Sequence, residues 1–395
     1  MTKVGRLVFI NLCVTLVLLA SIELVTRVTS WVSGDGFVLK LHEVDPTDSK
    51  VESIYRWHPF VGFTFAPNSQ IRGGHPNQDF LAQNFTDSRG LIGPDAAFAV
   101  DKVDNEIRIA TVGGSTTANL NLDYSQNWPG QLVEHLRKSI PERKITVANG
   151  GTPGFHTSQS IANLALRLMP LSPDVVVIYH AYNDLKAIAL DGTFSPDYAH
   201  MHHKPFGFIE RPPLWEQWLA RSMAYVRIRN RARRISELER DLTPAARLDT
   251  PPAEAVRTFE RNLRSLIGIA HAGGADVVLV TFVTMFERDA PWDDGDYLRS
   301  LPARYRAELS NLLRFTPSLS VYGVMRSLAV YNDVIRRVAA DTQVAMVDLA
   351  KTLPRRKAYF VDRVHFSVTG AQAFAHAIAP TVNDVIEKRV TLTSK

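Results

Sequence analysis

The sequence contains very little cysteine and lacks the common metal-binding patterns. Among its 395 residues there is a single cysteine, Cys13, so an intrachain disulfide is excluded. The zinc-binding spacings Cys-x-x-Cys and His-Glu-x-x-His do not occur. The one histidine cluster consists of His200, His202 and His203, and no further ligands stand at metal-site spacing from it. We therefore predict that the protein uses neither a metal nor another cofactor.

Dense blocks of one charge are also absent, which argues against a nucleic-acid partner. The net charge is +5, and charged residues make up 22% of the chain. In the most basic stretch, residues 227–234 (RIRNRARR), arginines alternate with apolar residues. This pattern favours the exposed face of a helix, although binding to an acidic polysaccharide or a lipid headgroup is an alternative. Hydrophobic residues reach 45%, the usual content of a globular chain with a large core.

A long apolar run begins close to the N-terminus. Lys3 and Arg6 precede residues 7–25, and about 20 apolar residues suffice to cross a bilayer as a helix. Positive charge in front of such a run keeps the N-terminus in the cytoplasm. We predict that residues 1–30 are an uncleaved signal anchor in a bacterial inner membrane, with the rest of the chain periplasmic. A cleaved signal peptide is the alternative, but no clear Ala-x-Ala site follows the run.

The remaining chain combines a polar segment, residues 31–105, with an alternating β/α pattern, residues 106–390. Short β-branched runs predict strands at residues 107–112, 145–148, 175–179, 277–282 and 344–347. Helical spacing appears between and after them, at residues 128–139, 158–169, 255–272, 330–340 and 368–389. Continuously apolar strands indicate a parallel sheet that is buried on both faces. We predict a flavodoxin-like three-layer α/β/α sandwich whose five parallel strands have the order 2-1-3-4-5.

Two insertions interrupt this pattern, at about residues 185–252 and 285–322. Both leave the predicted sheet after strands that carry candidate site residues. Long loops in such places commonly form the walls or lids of binding sites. Ordinary surface decoration is the alternative.

Polar residues with catalytic potential follow the predicted strands. Ser115 comes directly after the first strand, Gly154 closes an Asn-Gly-Gly-Thr-Pro-Gly loop after the second, and Asn183 follows the third. Asp362 and His365 precede the final helix. In the predicted strand order the first strand lies between the second and the third, so their loops are neighbours at one edge of the sheet.

These residue types fit nucleophilic catalysis on an ester. A serine hydroxyl needs a base, for which His365 is the candidate, and Asp362 can orient the imidazole. The backbone N–H groups of Ser115 and Gly154 and the side-chain amide of Asn183 are candidates for an oxyanion hole. Taken singly, the serine is also consistent with a helix N-cap, the asparagine with a turn and the aspartate with a helix-start cap. Their joint occurrence at strand ends favours a catalytic site.

The same blocks resemble those of the SGNH (GDSL-type) hydrolase family over residues 106–385. The matching segments are Gly-Gly-Ser ending at Ser115, the glycine block ending at Gly154, Tyr-Asn-Asp around Asn183, and Asp362-x-x-His365. The resemblance implies that the family's four namesake residues are Ser115, Gly154, Asn183 and His365, with Asp362 as the histidine's partner.

The chain departs from the family pattern at two places. Gly114 stands where the family's Gly-Asp-Ser has aspartate, which removes a supporting carboxylate and predicts a weaker or narrower activity. Ala181 and Tyr182 occupy the stretch where a glycine often precedes Asn-Asp. An α/β-hydrolase fold is disfavoured because Thr117 breaks the Gly-x-Ser-x-Gly pattern of that fold.

The resemblance implies a serine esterase that acts on O-acyl groups. Residues 57–62 (WHPFVG) are similar to the extension of membrane-anchored bacterial members, some of which act near cell-surface polysaccharides. We therefore expect O-acetyl esters on a carbohydrate as the substrate. The alternatives are an O-acyltransferase that modifies polysaccharide, a lipolytic esterase that uses the aromatic residues within 206–218, and an inactive glycan-binding homologue.

Overall fold

The computed structural model describes residues 3–32, 54–74, 80–93, 102–188, 194–201, 214–219, 222, 224–225, 227–228 and 247–393. The chain forms two compact units, residues 1–53 with 206–239 and residues 54–205 with 240–395. His202, His203 and most of the basic stretch lie outside the described residues. The domain boundaries after residues 30 and 105 stay predictions.

The first unit contains the N-terminal helix, Lys3–Val32. Its segment Gly5–Thr29 has a mean hydropathy of 2.4 and is the one helix in the described part of the chain that is long and apolar enough to cross a membrane. Near its end, the Glu23 carboxylate forms an ion pair with Arg27 at 2.7 Å and accepts a hydrogen bond from the Ser222 hydroxyl at 2.8 Å. The charged end of the helix is thus paired with polar groups of the same unit.

The second unit begins with two antiparallel hairpins. In the first, β1 (Tyr55–His58) pairs with β2 (Gly62–Phe65), and in the second, β3 (Gln70–Gly73) pairs with β4 (Ala82–Phe85). Trp57 lies opposite Phe63 across the first hairpin, so both side chains occupy the same face. Phe63 is buried there against the ring of Phe155, at 5.3 Å between centroids, whereas 65% of Trp57 is exposed.

The centre of this unit is a parallel sheet of five strands. They are β5 (Glu106–Gly113), β6 (Lys144–Asn149), β7 (Val175–Tyr179), β8 (Asp276–Val280) and β9 (Ala345–Val347), in the order β6-β5-β7-β8-β9. This is the predicted order 2-1-3-4-5, and the predicted fold is confirmed. Every residue of β5 and β7 is buried, and the two charged residues of β5, Glu106 and Arg108, form a buried ion pair at 3.1 Å.

Helices cover the sheet. The longer ones are Trp128–Ser139, Ala253–Ala272, Ala303–Phe315, Val321–Thr342 and Val368–Thr393. Shorter helical segments of this unit are Ser115–Ala118, Thr157–Asn163, Leu164–Leu168, Met169–Leu171, Tyr182–Ile188, Ala199–Met201, Gly295–Ser300, Leu349–Thr352 and Lys357–Tyr359, and the first unit also contains Leu214–Leu219. Trp128 packs on Phe374 of the final helix at 4.7 Å between ring centroids, and Phe259 stacks on Tyr331 at 4.3 Å.

Several predicted element boundaries were wrong. β8 ends at Val280 and not at Phe282, because the Phe282 N–H and C=O pair with the side chain of Asn332 at 2.7 and 2.9 Å instead of continuing the sheet. The helix predicted at residues 158–169 changes at Leu164 into a wider π-helical turn that ends at Leu168.

Candidate active site

Ser115 lies at the carboxyl end of β5, where the strand turns into a short helix. Gly114 is the N-cap residue of that helix, and Ser115 is its first residue. The turn is fixed from two sides, because the Thr152 N–H donates to the Gly113 carbonyl at 3.2 Å and the Trp128 indole donates to the Thr116 carbonyl at 3.0 Å. The hydroxyl of Ser115 is therefore not used as a cap and points to the imidazole described next.

A continuous chain of hydrogen bonds connects Ser115, His365 and Asp362. The Ser115 Oγ lies 2.9 Å from His365 Nε2, and His365 Nδ1 lies 2.7 Å from Asp362 Oδ2. The other carboxylate oxygen, Oδ1, accepts the main-chain N–H groups of Val364 at 2.8 Å and His365 at 2.7 Å. A carboxylate only accepts hydrogen bonds, so the ring proton is on Nδ1 and the bare Nε2 accepts the serine hydroxyl.

Burial differs along this chain in a way that suits proton transfer. Asp362 is buried, at 5% exposure, whereas 23% of the His365 side chain is exposed. The carboxylate is thereby held away from solvent by three hydrogen bonds, and the imidazole is open to a substrate. These distances and this burial are what a serine nucleophile, its base and a group that orients the base require.

Asn183 lines the recess beside Ser115, and Gly154 precedes Phe155, whose carbonyl oxygen lies close to the serine turn. Gly154 has a φ of +80°, a left-handed conformation that favours glycine. Its neighbour Phe155 accepts a hydrogen bond from Asn183 Nδ2 at 2.8 Å through its main-chain carbonyl. A primary amide has two N–H donors, so this bond holds the Asn183 side chain in place and leaves a second donor for an oxyanion.

Gly114 explains the first departure from the family pattern. A Cβ atom at this residue would lie 2.3 Å from Asn183 Nδ2 and 3.2 Å from the Phe155 carbonyl oxygen. Van der Waals contact excludes the first distance, so any side chain at residue 114 would displace the Asn183 amide. Glycine at residue 114 leaves space for this close approach of the amide to the serine turn.

A buried polar cluster supports the segment that carries Asn183. Its neighbour Asp184 is fully buried and accepts hydrogen bonds from the Thr157 N–H at 3.2 Å and the Tyr198 hydroxyl at 2.9 Å. Burial raises the pKa of Asp184 to about 6, although the hydrogen bonds from Thr157 and Tyr198 act in the opposite direction. Burial lowers the pKa of the nearby His180 to about 3, so its imidazole is neutral.

Two groups at the site were not singled out by sequence reasoning. Arg363, between the predicted acid and base, donates from Nε to the Tyr182 hydroxyl at 2.7 Å, and its Nη1 lies 3.6 Å from a carboxylate oxygen of Glu308. The only sequence signal was the departure at Tyr182, where a large aromatic residue precedes Asn-Asp. Arg363 and Glu308 are 55 residues apart, and Arg363 and Tyr182 are 181 residues apart, so no local pattern indicates these contacts.

Among the described residues, no group of three or more histidine, cysteine, aspartate or glutamate side chains could hold a metal ion. His200 is engaged at both ring nitrogens. Its Nδ1 accepts the Ser195 N–H at 3.1 Å, and its Nε2 lies 2.8 Å from the Ala187 carbonyl oxygen.

A parallel α/β sheet with this serine–histidine–aspartate arrangement at its carboxyl edge has the organisation of a hydrolase that attacks acyl groups. Residues 111–373 match the model of the GDSL-like lipase/acylhydrolase family. The chain therefore belongs to this family and is an SGNH-type ester hydrolase.

Several solved structures are similar to this chain. A lipase/acylhydrolase from Enterococcus faecalis is 17% identical, with a TM-score of 0.39, over 70% of this chain and 96% of its own. A GDSL-like lipase from Bacteroides thetaiotaomicron is 16% identical, with a TM-score of 0.40, over 73% and 93%. An acetylxylan esterase from Geobacillus stearothermophilus is 18% identical, with a TM-score of 0.39, over 70% and 94%. Similarity at this level carries no argument about substrate, and no curated protein matched the chain.

Proposed function

We propose that the protein hydrolyses O-acyl esters through an acyl-Ser115 intermediate. The observation that carries the proposal is the unbroken chain of hydrogen bonds from Ser115 through His365 to Asp362. His365 Nε2 takes the hydroxyl proton as Oγ attacks the ester carbonyl, and then gives it to the departing alcohol. A water molecule, deprotonated in turn by His365, releases the acid and restores the serine. Asp362 stabilises the imidazolium that forms twice in each cycle.

Three hydrogen-bond donors stabilise the negative charge of the tetrahedral intermediate. They are the main-chain N–H groups of Ser115 and Gly154 and the free N–H of the Asn183 amide. The contacts of Asn183 with Phe155 and of its segment with Thr157 hold these donors before substrate arrives. Donors that need no rearrangement stabilise the transition state more than mobile ones.

We further propose that the acyl group is short, acetyl above all, and that it is carried by a carbohydrate. The recess beside Ser115 is small, and Ala181, Tyr182 and Phe282 are among the residues that line it, which favours a short acyl group. On the β1–β2 hairpin, Trp57 is exposed on the face whose Phe63 packs against Phe155, one residue beyond Gly154. An exposed aromatic ring suits contact with the flat face of a sugar ring.

Intact-mass analysis after treatment with a fluorophosphonate tests the proposal. We expect one adduct per chain, mapped to Ser115 by peptide sequencing, because a serine that is activated by a base reacts with this probe. A chain that stays unlabelled while it remains folded would contradict the proposed nucleophile. Product analysis with acetylated xylooligosaccharide and an unacetylated acceptor then separates the two uses of the acyl-enzyme: free acetate alone supports hydrolysis, and a newly acetylated acceptor supports transfer.

The N-terminal helix is proposed to anchor the enzyme in the inner membrane with the catalytic unit in the periplasm. Its support is the apolar segment Gly5–Thr29 behind Lys3. A membrane-impermeant fluorophosphonate, applied to cells whose outer membrane has been opened, is expected to label Ser115. Labelling that requires rupture of the inner membrane would place the site in the cytoplasm instead.

Restoring the family's aspartate at residue 114 is expected to impair the enzyme. In Gly114→Asp the new Cβ would meet Asn183 Nδ2 at 2.3 Å and displace this oxyanion donor. The loss of one such donor typically lowers kcat by about 100- to 1,000-fold. The measurement is kcat on a chromogenic acetyl ester, with Gly268→Ala as the control, since a Cβ at Gly268 meets no atom within 4 Å. Activity at or above that of the wild type would show that residue 114 accepts an aspartate side chain without loss of the Asn183 donor.

A further inference from the structure

The loop that carries Asp362 and His365 is held from outside by the second insertion. The main-chain N–H of Arg363 lies 3.3 Å from a Glu308 carboxylate oxygen, and the Arg363 carbonyl accepts the Met285 N–H at 3.0 Å. Arg304, one turn before Glu308 on the helix Ala303–Phe315, donates to the main-chain carbonyls of residues 360 and 361 at 3.1 Å each. The insertion at about residues 285–322 thus fixes the backbone of this loop.

The side chain of Arg363 extends this support to the oxyanion side. It is largely buried, at 18% exposure, and connects the Tyr182 hydroxyl to Glu308. Burial alone would lower the pKa of Arg363, but Tyr182 and Asp362 raise it, so the guanidinium stays charged. A buried cation needs such partners, and its planar geometry fixes their relative positions.

Tyr182 is itself immobilised, which makes the connection rigid. Its ring stacks on Phe315 at 4.8 Å and lies parallel to Phe282 at 6.0 Å. Burial raises the pKa of Tyr182, so the phenol stays neutral and its oxygen accepts the Arg363 hydrogen bond. The next residue in the chain is Asn183, whose amide faces the serine turn.

We propose that Arg363 is a positioning residue that fixes the imidazole of His365 relative to the amide of Asn183, through Tyr182 on one side and Glu308 on the other. The general base and the oxyanion donor come from segments about 180 residues apart, and both must face one substrate carbon at the same moment. One guanidinium joins those two segments directly. The inference rests on the proposed roles of His365 and Asn183 and adds a group that touches neither substrate nor the reacting atoms.

The test is a kinetic split in variants that keep the fold. Arg363→Lys keeps the charge but cannot contact Tyr182 and Glu308 with the fixed geometry of a planar guanidinium. Tyr182→Phe removes only the accepting hydroxyl, and the stacked ring remains. We expect kcat to fall about 100-fold in the first and about 10-fold in the second, since a misplacement of about 1 Å costs that order. KM should change less than about threefold, because Arg363 does not line the recess beside Ser115, and the Tyr182 ring, which does, is kept in Tyr182→Phe. Rates are expressed per active site, titrated by the fluorophosphonate, so that misfolded chains do not count.

A matched control separates positioning from general stability. Arg336 is also a largely buried arginine, at 19% exposure, and forms ion pairs with Asp333 at 2.6 Å and Asp348 at 2.8 Å. Arg336→Lys is expected to lower the melting temperature as much as Arg363→Lys does while leaving kcat per titrated site within about twofold of the wild type. An equal loss of kcat in the two variants would overturn the proposal.

A double-variant cycle measures the coupling between two substitutions in their effect on kcat, which a general loss of stability would not produce. Tyr182→Phe and Glu308→Gln act from different elements on the same guanidinium, so their combined loss of kcat should be clearly smaller than the product of the single losses. Losses that multiply would show two independent effects and overturn the proposal. If instead the wild type is not labelled at Ser115, the proposed nucleophile fails first, and this result is distinct from labelled variants with unchanged kcat.

Discussion

Ser115→Ala is expected to lower kcat on a chromogenic acetyl ester by about 100,000-fold or more, since removal of a serine nucleophile costs this order in enzymes that share the mechanism. Alanine removes Oγ, which lies 2.9 Å from His365 Nε2, but keeps the main-chain N–H that is assigned to the oxyanion. Substrate binding should therefore persist with little turnover. The melting temperature should stay close to that of the wild type, because Ser115 is not the cap of its helix.

The chain offers a close control for this substitution. Ser158 also forms a hydrogen bond to an imidazole, with its Oγ 2.7 Å from His156 Nδ1. Ser158→Ala is expected to keep kcat within about threefold of the wild type, since surface substitutions have small effects. Turnover that is unchanged in Ser115→Ala would remove this serine from the mechanism, whatever the control shows.

Asp362→Asn is expected to reduce kcat by about 10,000-fold while the fold persists, the order found when a triad aspartate becomes asparagine. The reason lies in the three hydrogen bonds that the carboxylate accepts. If the asparagine oxygen keeps the N–H groups of Val364 and His365, its NH₂ group must face His365 Nδ1. The ring then carries its proton on Nε2 and cannot accept one from Ser115.

The pH dependence and a second aspartate check this explanation. Hydroxide can remove the Ser115 proton in place of an imidazole that is held in the wrong tautomer. The residual kcat of Asp362→Asn should therefore rise with pH above neutrality. Asp348 supplies the control, because its carboxylate accepts two hydrogen bonds from Arg336 at 2.8 Å in an ion pair after β9. Asp348→Asn should lower the free energy of unfolding without a comparable effect on kcat. A tenfold or smaller loss in Asp362→Asn would contradict the assigned role.

The sheet and the meeting of the catalytic segments could be predicted because both follow from local chemistry. Strand β7 begins and ends at the predicted residues, since five apolar residues, four of them β-branched, stand between Asp174 and His180. The strand order then brings Ser115 and Asn183 to one edge without any further information. The pairing of His365 with Ser115 was predicted from the resemblance to the family motifs, because the two residues are 250 positions apart in the chain.

Elements that depend on distant partners could not be predicted in the same way. The helix predicted to begin at residue 330 begins at Val321. The sequence did not indicate its first turns because Gly323 and Ser327 have a low helix propensity. In the structure Gly323 is required there, since a Cβ atom would lie 2.0 Å from the Leu248 carbonyl oxygen. The strands β1 to β4 have four residues each and mixed polarity, too short for a periodic signal. Arg363 likewise gains its meaning from Tyr182 and Glu308, which are remote in sequence.

The attachment of the second hairpin to the serine segment determines where the gene can be shortened to obtain a water-soluble enzyme. Asn84 donates to the main-chain carbonyls of Leu120 and Leu122 at 3.2 and 2.9 Å, and the Gln83 N–H donates to Asp123 at 2.6 Å. A chain that starts at the family match, residue 111, would leave these acceptors and the aromatic surface around Phe155 bare to solvent. Expression for crystallisation should instead start just upstream of Ile54, so that both hairpins are retained while the apolar helix is removed together with the residues that follow it.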